Sequence, residues 1–311
     1  MRHARWPRIR SGALTLQSFQ TILLTHSSPS KENAISVLST PHVHHFAKKS
    51  VSPDQTRNAT QKMFAIFDSF SRSRPYLTLS EISRASGLPL STVHRLVSDL
   101  VAWGGLERDA HGGYGIGLHV WELGALAPRG TGLMDVALPY LEDLYEATHQ
   151  NIRLAVREGT EVIFVAHLSG HGSVPLRTRP ATRLPMPTTG VGLVLLAHAP
   201  AEVQNAVLES EFPRFTPFSV PDAPTLRRML ADVRRTGYAI CDRQMTDGAV
   251  SVAAPIQSPN GSVIAAVSVA VPGDGPEAVR ALTPTIQIAA KAISRALARS
   301  GGRRRDTEPG A

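Results

Sequence analysis

Cysteine, long apolar runs and catalytic signatures are scarce or missing in this chain of 311 residues. Its single cysteine, Cys241, excludes an internal disulfide framework and suits a reducing compartment. No stretch reaches the roughly 18 unbroken apolar residues that a membrane helix needs, so we expect no membrane partner. The motifs G-x-S-x-G, H-E-x-x-H and G-x-x-x-x-G-K do not occur. We therefore expect no enzyme, no catalytic residue and no cofactor.

Acidic residues are scarce at the N-terminus. Residues 1–50 carry seven Lys or Arg and one acid, whereas residues 51–127 carry seven of each sign, so most of the net charge of +8 lies in a leading arm. We interpret residues 1–56 as disordered or as the result of a start site placed too far upstream; a targeting or DNA-tethering arm is the alternative. His42, His44 and His45 lack partner ligands nearby, which favours a solvated cluster over a metal site.

The pattern from about residue 58 to 117 predicts three short helices and a hairpin. Apolar residues recur at helical spacing from Met63 to Phe70, and the second helix has a capping-box spacing from Thr78 to Glu81. The stretch "GLPLSTVHRLVSDLVAWGGLERD" predicts a tight turn at Gly87 and a third helix that buries Val93 and Leu96 among others. Two short strands around His111-Gly112-Gly113 complete a winged helix-turn-helix pattern.

The polar side of the third helix has two interpretations. Small polar residues at the start of a helix allow it to approach base edges in a major groove, and the helix amides favour phosphate. The alternative is an ordinary three-helix core with a solvated face. Because residues 51–127 carry no net charge, a protein-interaction module whose winged helix no longer binds DNA specifically also stays open.

The second half of the chain predicts a mainly antiparallel sheet with flanking helices. Strand-like runs occur at "IRLAVREG", "EVIFVAHLSG" and "YAICD", and "SVAAPIQS" and "SVIAAVSVAV" form a hairpin through Pro259-Asn260-Gly261. Helical runs lie between them, and a closing helix, "EAVRALTPTIQIAAKAISRALA", follows. We therefore predict an α+β protein with two domains.

Residues 57–300 resemble the IclR family of bacterial transcription regulators. The resemblance rests on "GLPLSTVHRLVSDLVAWGGLERD…GGYGIGLHVWELG", "LPMPTTGVGLVLLAHAP" and "RRTGYAICD…AVSVAAPIQSPNGSVIAAVSV", which occur in family order and spacing. It implies an N-terminal winged helix-turn-helix domain, a linker helix and a C-terminal GAF/profilin-like effector-sensing domain. The predicted segments are the extension 1–56, the DNA-binding domain 57–117, the linker helix 118–132, the effector-binding and oligomerisation domain 133–300, and a disordered tail 301–311.

The same resemblance implies the partners and the place of action. Such regulators bind double-stranded operator DNA as homodimers or homotetramers and respond to a small organic acid, often to control catabolic genes. The implied location is the bacterial cytoplasm, with association to the nucleoid when DNA is bound. The sign of the response, repressor or activator, stays open.

The candidate DNA contacts lie at the start of the third helix and beside the hairpin. They are Ser80, Ser91, Thr92, His94, Arg95 and Arg108. Arg95 is the leading candidate for a base or phosphate contact, because its guanidinium can reach two acceptors at once. Arg108 would contact backbone phosphate.

The resemblance also implies the effector contacts, which are centred on a glycine turn before a helix. They are Leu176, Thr189, Gly190, Val191, Gly192, Cys241, Asp242, Ser251 and Ser268. Backbone N–H groups at such a turn form an anion site, although the glycines could instead serve tight packing. Compared with the family, Cys241 stands where an acid is common, Ser251 where a cysteine is familiar and Ala270 where a serine is expected.

These departures favour a ligand other than the short keto acids of the best-known relatives. A pocket that has lost its ligand is the alternative. Cys241 itself is interpreted as a small apolar residue rather than a redox sensor.

Overall fold

The computed structural model describes residues 57–127, 132–170, 173–176, 180–273 and 276–305. The arm with its histidines, part of the predicted linker and the last six residues lie outside this range. The helices are α1 (Ala59–Phe67), α2 (Leu79–Ser86), α3 (Leu90–Trp103), α4 (Leu118–Ala125), α5 (Leu133–Thr148), α6 (Gly190–Ala197), α7 (Ala201–Leu208), α8 (Ala223–Thr236), α9 (Glu277–Arg280) and α10 (Thr283–Arg305). The strands are β1 (Tyr76–Leu77), β2 (Leu106–Arg108), β3 (Tyr114–Ile116), β4 (Asn151–Glu158), β5 (Glu161–Leu168), β6 (Arg183–Pro185), β7 (Ala239–Asp242), β8 (Ala249–Gln257) and β9 (Val263–Pro272).

The first part of the fold is a winged helix-turn-helix. The helices α1, α2 and α3 pack around buried Ile66, Ile82 and Val93, and β1, β3 and β2 form a small antiparallel sheet in that order. The strand β1 was not predicted, because two residues carry no readable alternation. The predicted three helices and hairpin are confirmed.

Local signals set the boundaries of these helices. The Thr78 side chain accepts from the backbone N–H of Glu81 and the Glu81 carboxylate accepts from that of Thr78, so the capping box forms as predicted. Gly87 ends α2 at φ +69° and Gly104 ends α3 at φ +83°, in the left-handed region that glycine adopts without penalty.

The second part is a six-stranded antiparallel sheet in the order β6-β5-β4-β9-β8-β7. Alternate strand residues pack on opposite sides of it: Leu154 belongs to the core with α5 and α10, whereas Ala155 belongs to the core with α6, α7 and α8. The predicted α+β class is therefore confirmed, and both faces of the sheet are covered by helices.

The end of the chain differs from the prediction. The closing helix is interrupted after Arg280 and begins again at Thr283. Pro284 has no N–H to donate to the Arg280 carbonyl and its ring would clash with that carbonyl inside a continuous helix, whereas it is tolerated in a first helical turn. The helix α10 then runs to Arg305, whereas the tail was expected from residue 301. A glycine in a helix costs about 1 kcal/mol relative to alanine, so Gly301 and Gly302 weaken the helix without forbidding it.

Candidate functional site: an exposed helix and a small cavity

The predicted DNA contacts share the outer surface of the winged helix. Ser91, His94 and Arg95 are exposed on α3, and Thr92 is half-buried near its start. Ser80 is exposed on α2, and Arg108 is exposed on β2.

Two of these residues have partners in the free protein. The Arg95 guanidinium lies 3.3 Å from the Asp99 carboxylate one turn later on α3. Both side chains are more than half exposed, so the pair is worth only about 0.3–0.5 kcal/mol and can be exchanged for a DNA contact at little cost. The Arg108 guanidinium lies 5.8 Å from the centre of the Tyr114 ring across the hairpin.

The turn between β2 and β3, which forms the wing, is held by the side chain of Asp109. Asp109 Oδ1 accepts hydrogen bonds from the backbone N–H groups of His111 and Gly113, at 2.8 and 2.7 Å. Gly112 takes φ +83° at the tip of this turn. The side chain thus supplies the acceptor that closes the loop beside Arg108.

A small cavity of about 30 Å³, partly open to solvent, lies on the α6 side of the large sheet. It is lined by Arg153, Leu176, Thr188, Thr189, Cys241, Met245, Thr246, Ala249, Val250, Ser251 and Ala270. Four predicted effector residues therefore meet here: Leu176, Thr189, Cys241 and Ser251. The volume suffices for about one or two water molecules, so any larger ligand requires the lining to move.

The glycine turn performs two different tasks. A Cβ at Gly190 would lie 3.2 Å from the Ser251 hydroxyl oxygen and 3.5 Å from the Cys241 Cβ, which places this residue against the cavity wall. At Gly192 a Cβ would collide with the carbonyl oxygen of Met186, and its N–H donates to the Thr189 hydroxyl at 3.0 Å. The Gly192 amide is therefore used in capping α6, and this glycine serves tight packing.

The other predicted effector residues lie outside the lining. Val191 is buried in the core around α6. Asp242 is paired with the neighbouring Arg243, whose Nε lies 2.9 Å from the carboxylate. Ser268 is buried directly opposite Arg153 in the sheet register, two residues along β9 from the cavity wall at Ala270.

Arg153 is the cavity residue that the sequence analysis missed. It is only 8% exposed, and its guanidinium lies 5.4 Å from the centre of the Phe164 ring. Burial lowers the pKa of Arg153 to about 10, and the neighbouring Cys241 opposes this in part. Its signal in the sequence is an arginine as the second residue of the strand-like run "IRLAV", because arginine is almost never fully buried unless it is paired.

Cys241 is an inert thiol in this setting. It donates towards Gln244 Oε1 at 3.3 Å and the Thr188 carbonyl oxygen at 3.5 Å. Burial raises the pKa of Cys241 to about 11, although the hydrogen bond from the Gln244 backbone and the Arg153 charge lower it in part. The thiol therefore stays protonated near neutral pH.

A winged helix joined to a sheet domain with a small, partly polar cavity defines a class of ligand-responsive DNA-binding regulators. Family models agree: "Bacterial transcriptional regulator IclR C-terminal" matches residues 127–295, and "IclR helix-turn-helix domain" matches residues 59–110. The chain belongs to the IclR family of bacterial transcriptional regulators.

Individual relatives have the same organisation. The HTH-type transcriptional repressor AllR of Escherichia coli K12 is 30% identical over 216 residues, which span 69% of this chain and 80% of that protein. The HTH-type transcriptional regulator BhcR of Paracoccus denitrificans is 32% identical over 198 residues, 63% and 71% of the two chains. Among solved structures, an IclR homologue from Microbacterium hydrocarbonoxydans complexed with 4-hydroxybenzoate superposes with a TM-score of 0.72 at 36% identity, covering 76% of this chain and 97% of that one.

AllR and BhcR are transcriptional regulators, and the present chain is a DNA-binding regulator of the same family. No helix in the described part of the chain is long and apolar enough to cross a membrane.

Proposed function

We propose that this regulator senses a small organic carboxylate in the cavity beside α6 and changes its affinity for operator DNA in response. The observation that carries the proposal is Arg153. Its cationic side chain is buried in the wall of the cavity, on the same side as the start of α6. A carboxylate ligand in the cavity would lie within reach of this guanidinium and could accept charge-assisted hydrogen bonds from it.

The remaining lining fits the same ligand class. The hydroxyl groups of Thr189 and Ser251 can donate to an anion, whereas the Thr188 hydroxyl donates to the Pro185 carbonyl oxygen at 2.8 Å. The helix α6 begins at Gly190 beside them, where its partial positive charge favours an anion. The related structure from Microbacterium hydrocarbonoxydans holds an aromatic carboxylate. Met245, which is unbranched and flexible, and Leu176, which is branched only at Cγ, can change rotamer when a larger acid enters the cavity.

We further propose that α3 enters the major groove of double-stranded DNA and that two copies bind together. Half-sites about one helical turn apart would be matched by paired recognition helices. A ligand that changes the pairing of subunits would shift DNA affinity by about 1–3 kcal/mol, which is enough for a switch. The exposed apolar side chains of α4, with Leu118 at 65% and Trp121 at 69% exposure, support a subunit contact there. A regulator of this kind acts in the bacterial cytoplasm, at the nucleoid when bound.

The test is a fluorescence-anisotropy titration of the full chain against the promoter DNA of its own gene, with salt varied and a panel of aliphatic and aromatic carboxylic acids added. We expect specific binding that one acid strengthens or releases. Specific binding that no acid in the panel changes would contradict the sensing role.

The DNA-facing helix has its own test. Arg95→Ala should weaken specific binding at least about tenfold, since a bidentate base contact is worth about 1–3 kcal/mol. Arg235→Ala, an exposed arginine of α8 that pairs only with Asp232, removes the same charge and should change binding less than about twofold. Equal effects of the two substitutions would show that Arg95 acts only through overall charge.

A further inference from the structure

A second concave site lies at the other end of α6, where the sheet is incomplete. The edge strand β7 pairs with β8 only from Val250 to Ala253, so the outer edge of β8 beyond Ala253 has no neighbouring strand among the described residues. The ends of α6 and α8 and one side of α10 surround this edge and leave a cleft of about 620 Å³. This cleft, which we call the basic cleft, shares no lining residue with the effector cavity.

The charged residues of the basic cleft are all of one sign. They are Arg234 from α8, Lys291 and Arg295 from α10, and the titratable His198 after α6. The described lining contains no aspartate or glutamate, and α10 has no acidic residue anywhere along its length. Charged clefts of this kind attract multivalent anions.

Two of these groups are already used inside the protein. Arg234 Nη1 donates to the Ala197 carbonyl oxygen at 3.1 Å, and His198 Nδ1 lies 2.9 Å from the Val194 carbonyl oxygen. Both contacts offset the partial negative charge at the end of α6.

The two cationic cleft side chains on α10, Lys291 and Arg295, are more available than those of Arg234 and His198. Lys291 is exposed and forms no ion pair with the described residues. In the described hydrogen bonds, Arg295 donates through Nε to the Lys291 carbonyl oxygen. The Lys291 ammonium and the terminal nitrogens of Arg295 are therefore available to a ligand.

We propose that the basic cleft binds a small molecule that carries phosphate groups. Lysine and arginine are the side chains that recognise phosphate, the first as a point charge and the second as a fork. The volume falls within the range of about 300–1,000 Å³ that small-molecule sites occupy, which exceeds the size of a single inorganic ion. Gln257 lines the cleft and supplies a neutral polar side chain for the rest of such a molecule. The Gln287 Nε2 and the Thr236 hydroxyl, which also belong to lining residues, donate to backbone carbonyl oxygens.

The chain offers a site-specific readout of occupancy. Lys291 and Lys62 are the two lysines of the described residues, and Lys62 lies on α1 in the winged helix. Acylation of each amine by a mild reagent can be followed by mass spectrometry in the full chain. A residue-specific signal is needed because the seven basic residues of positions 1–50 also attract anions.

Inorganic pyrophosphate is the probe. We expect it to slow acylation of Lys291 at least about fivefold when it is well above its dissociation constant, and to leave Lys62 within about twofold. Equal protection of both lysines, or no protection of Lys291, would overturn the proposal. Protection of Lys291 by promoter DNA but not by pyrophosphate would assign the cleft to nucleic acid and overturn it as well.

Two matched substitutions on α10 sharpen the result. Arg295→Gln removes a cleft cation, and Arg299→Gln removes an exposed arginine one turn further along that does not line the cleft. The pyrophosphate concentration for half-protection of Lys291 should rise about tenfold in the first variant and less than about twofold in the second. Glutamine retains the helix, which circular dichroism checks. Equal shifts in the two variants would mean that general charge, and not the cleft, attracts the anion.

Discussion

Replacing Arg153 by methionine should make the ligand-free protein more stable while removing its response to an acid. The guanidinium is buried, and burial lowers the pKa of Arg153 to about 10 after its interactions with neighbouring groups are counted. The protonated guanidinium therefore has a higher free energy in the folded protein than in the unfolded chain. This cost applies at every pH below the folded-state pKa, neutral pH included.

The size of the effect follows from that pKa. Each pKa unit corresponds to about 1.36 kcal/mol, so the buried charge opposes folding by an amount on the order of 3 kcal/mol. Methionine keeps an unbranched apolar stem and loses the contact with the Phe164 ring. We expect the free energy of unfolding to rise by about 1–3 kcal/mol, because loss of the contact with the Phe164 ring offsets part of the relief from burying the charge.

Thermal and denaturant unfolding measure this change. The melting temperature should rise by about 2–4 °C for each kcal/mol. Arg157→Met is the control: it lies on the same strand β4, and its Nη1 donates to the Gly159 carbonyl oxygen in an exposed setting. Its effect on stability should stay within about 0.5 kcal/mol. A loss of stability in Arg153→Met greater than that of the control would refute the reasoning about desolvation.

The acid response is measured on the same variants. An effector carboxylate that enters the cavity of Arg153→Met finds no counter-charge, so its affinity should fall at least about 30-fold. The midpoint of unfolding of the variant should then no longer shift with the acid that stabilises the unmodified protein. An unchanged shift would show that the acid binds elsewhere.

Further predictions concern packing, pH and thiol chemistry. Gly192→Ala should destabilise the protein by about 3 kcal/mol or more in denaturant unfolding, because the added Cβ would collide with backbone atoms of Met186. As a control, Gly124→Ala on the exposed helix α4 has open space around the new Cβ and should stabilise the protein by up to about 1 kcal/mol. Equal effects of the two substitutions would contradict the packing role of Gly192. The hydrogen bonds from Thr78 lower the pKa of Glu81. The stability that this carboxylate contributes is therefore present above its unfolded-state pKa and lost as pH falls through its folded-state pKa. Glu81→Gln should reduce the loss of unfolding free energy on the acid side of a plot of stability against pH, and an unchanged plot would count against the capping box. Because burial raises the pKa of Cys241 to about 11, native protein should react with iodoacetamide at pH 8 far more slowly than unfolded protein, and rapid native labelling would exclude the buried position.

Short-range patterns were enough to predict the winged helix. The capping box at Thr78, the left-handed glycine at Gly87 and the hairpin around Gly112 each depend on a few consecutive residues, so the sequence displays them directly. The strand β1 escaped prediction because its two residues pair with β3, which lies about 40 positions away, and show no pattern of their own.

The cavity could be predicted only in part. The family resemblance drew attention to Thr189, Cys241 and Ser251, which do line it. Asp242 and Ser268 were selected in the same way but lie outside the lining. Alternation along a strand indicates which residues share a face, but it does not show which of them face a gap between packed helices.

The sequence by itself determined the helices, the hairpins and the α+β class, because capping, turn chemistry and hydrophobic period act between near neighbours. The tertiary structure alone decided the strand order β6-β5-β4-β9-β8-β7 and with it the meeting of Arg153 on β4, Cys241 on β7 and Ser251 on β8. It also joined the ends of α6 and α8 to α10 in the basic cleft. Both sites bring together residues that lie tens of positions apart in the chain, and only the packing of both sheet faces brings such residues into contact.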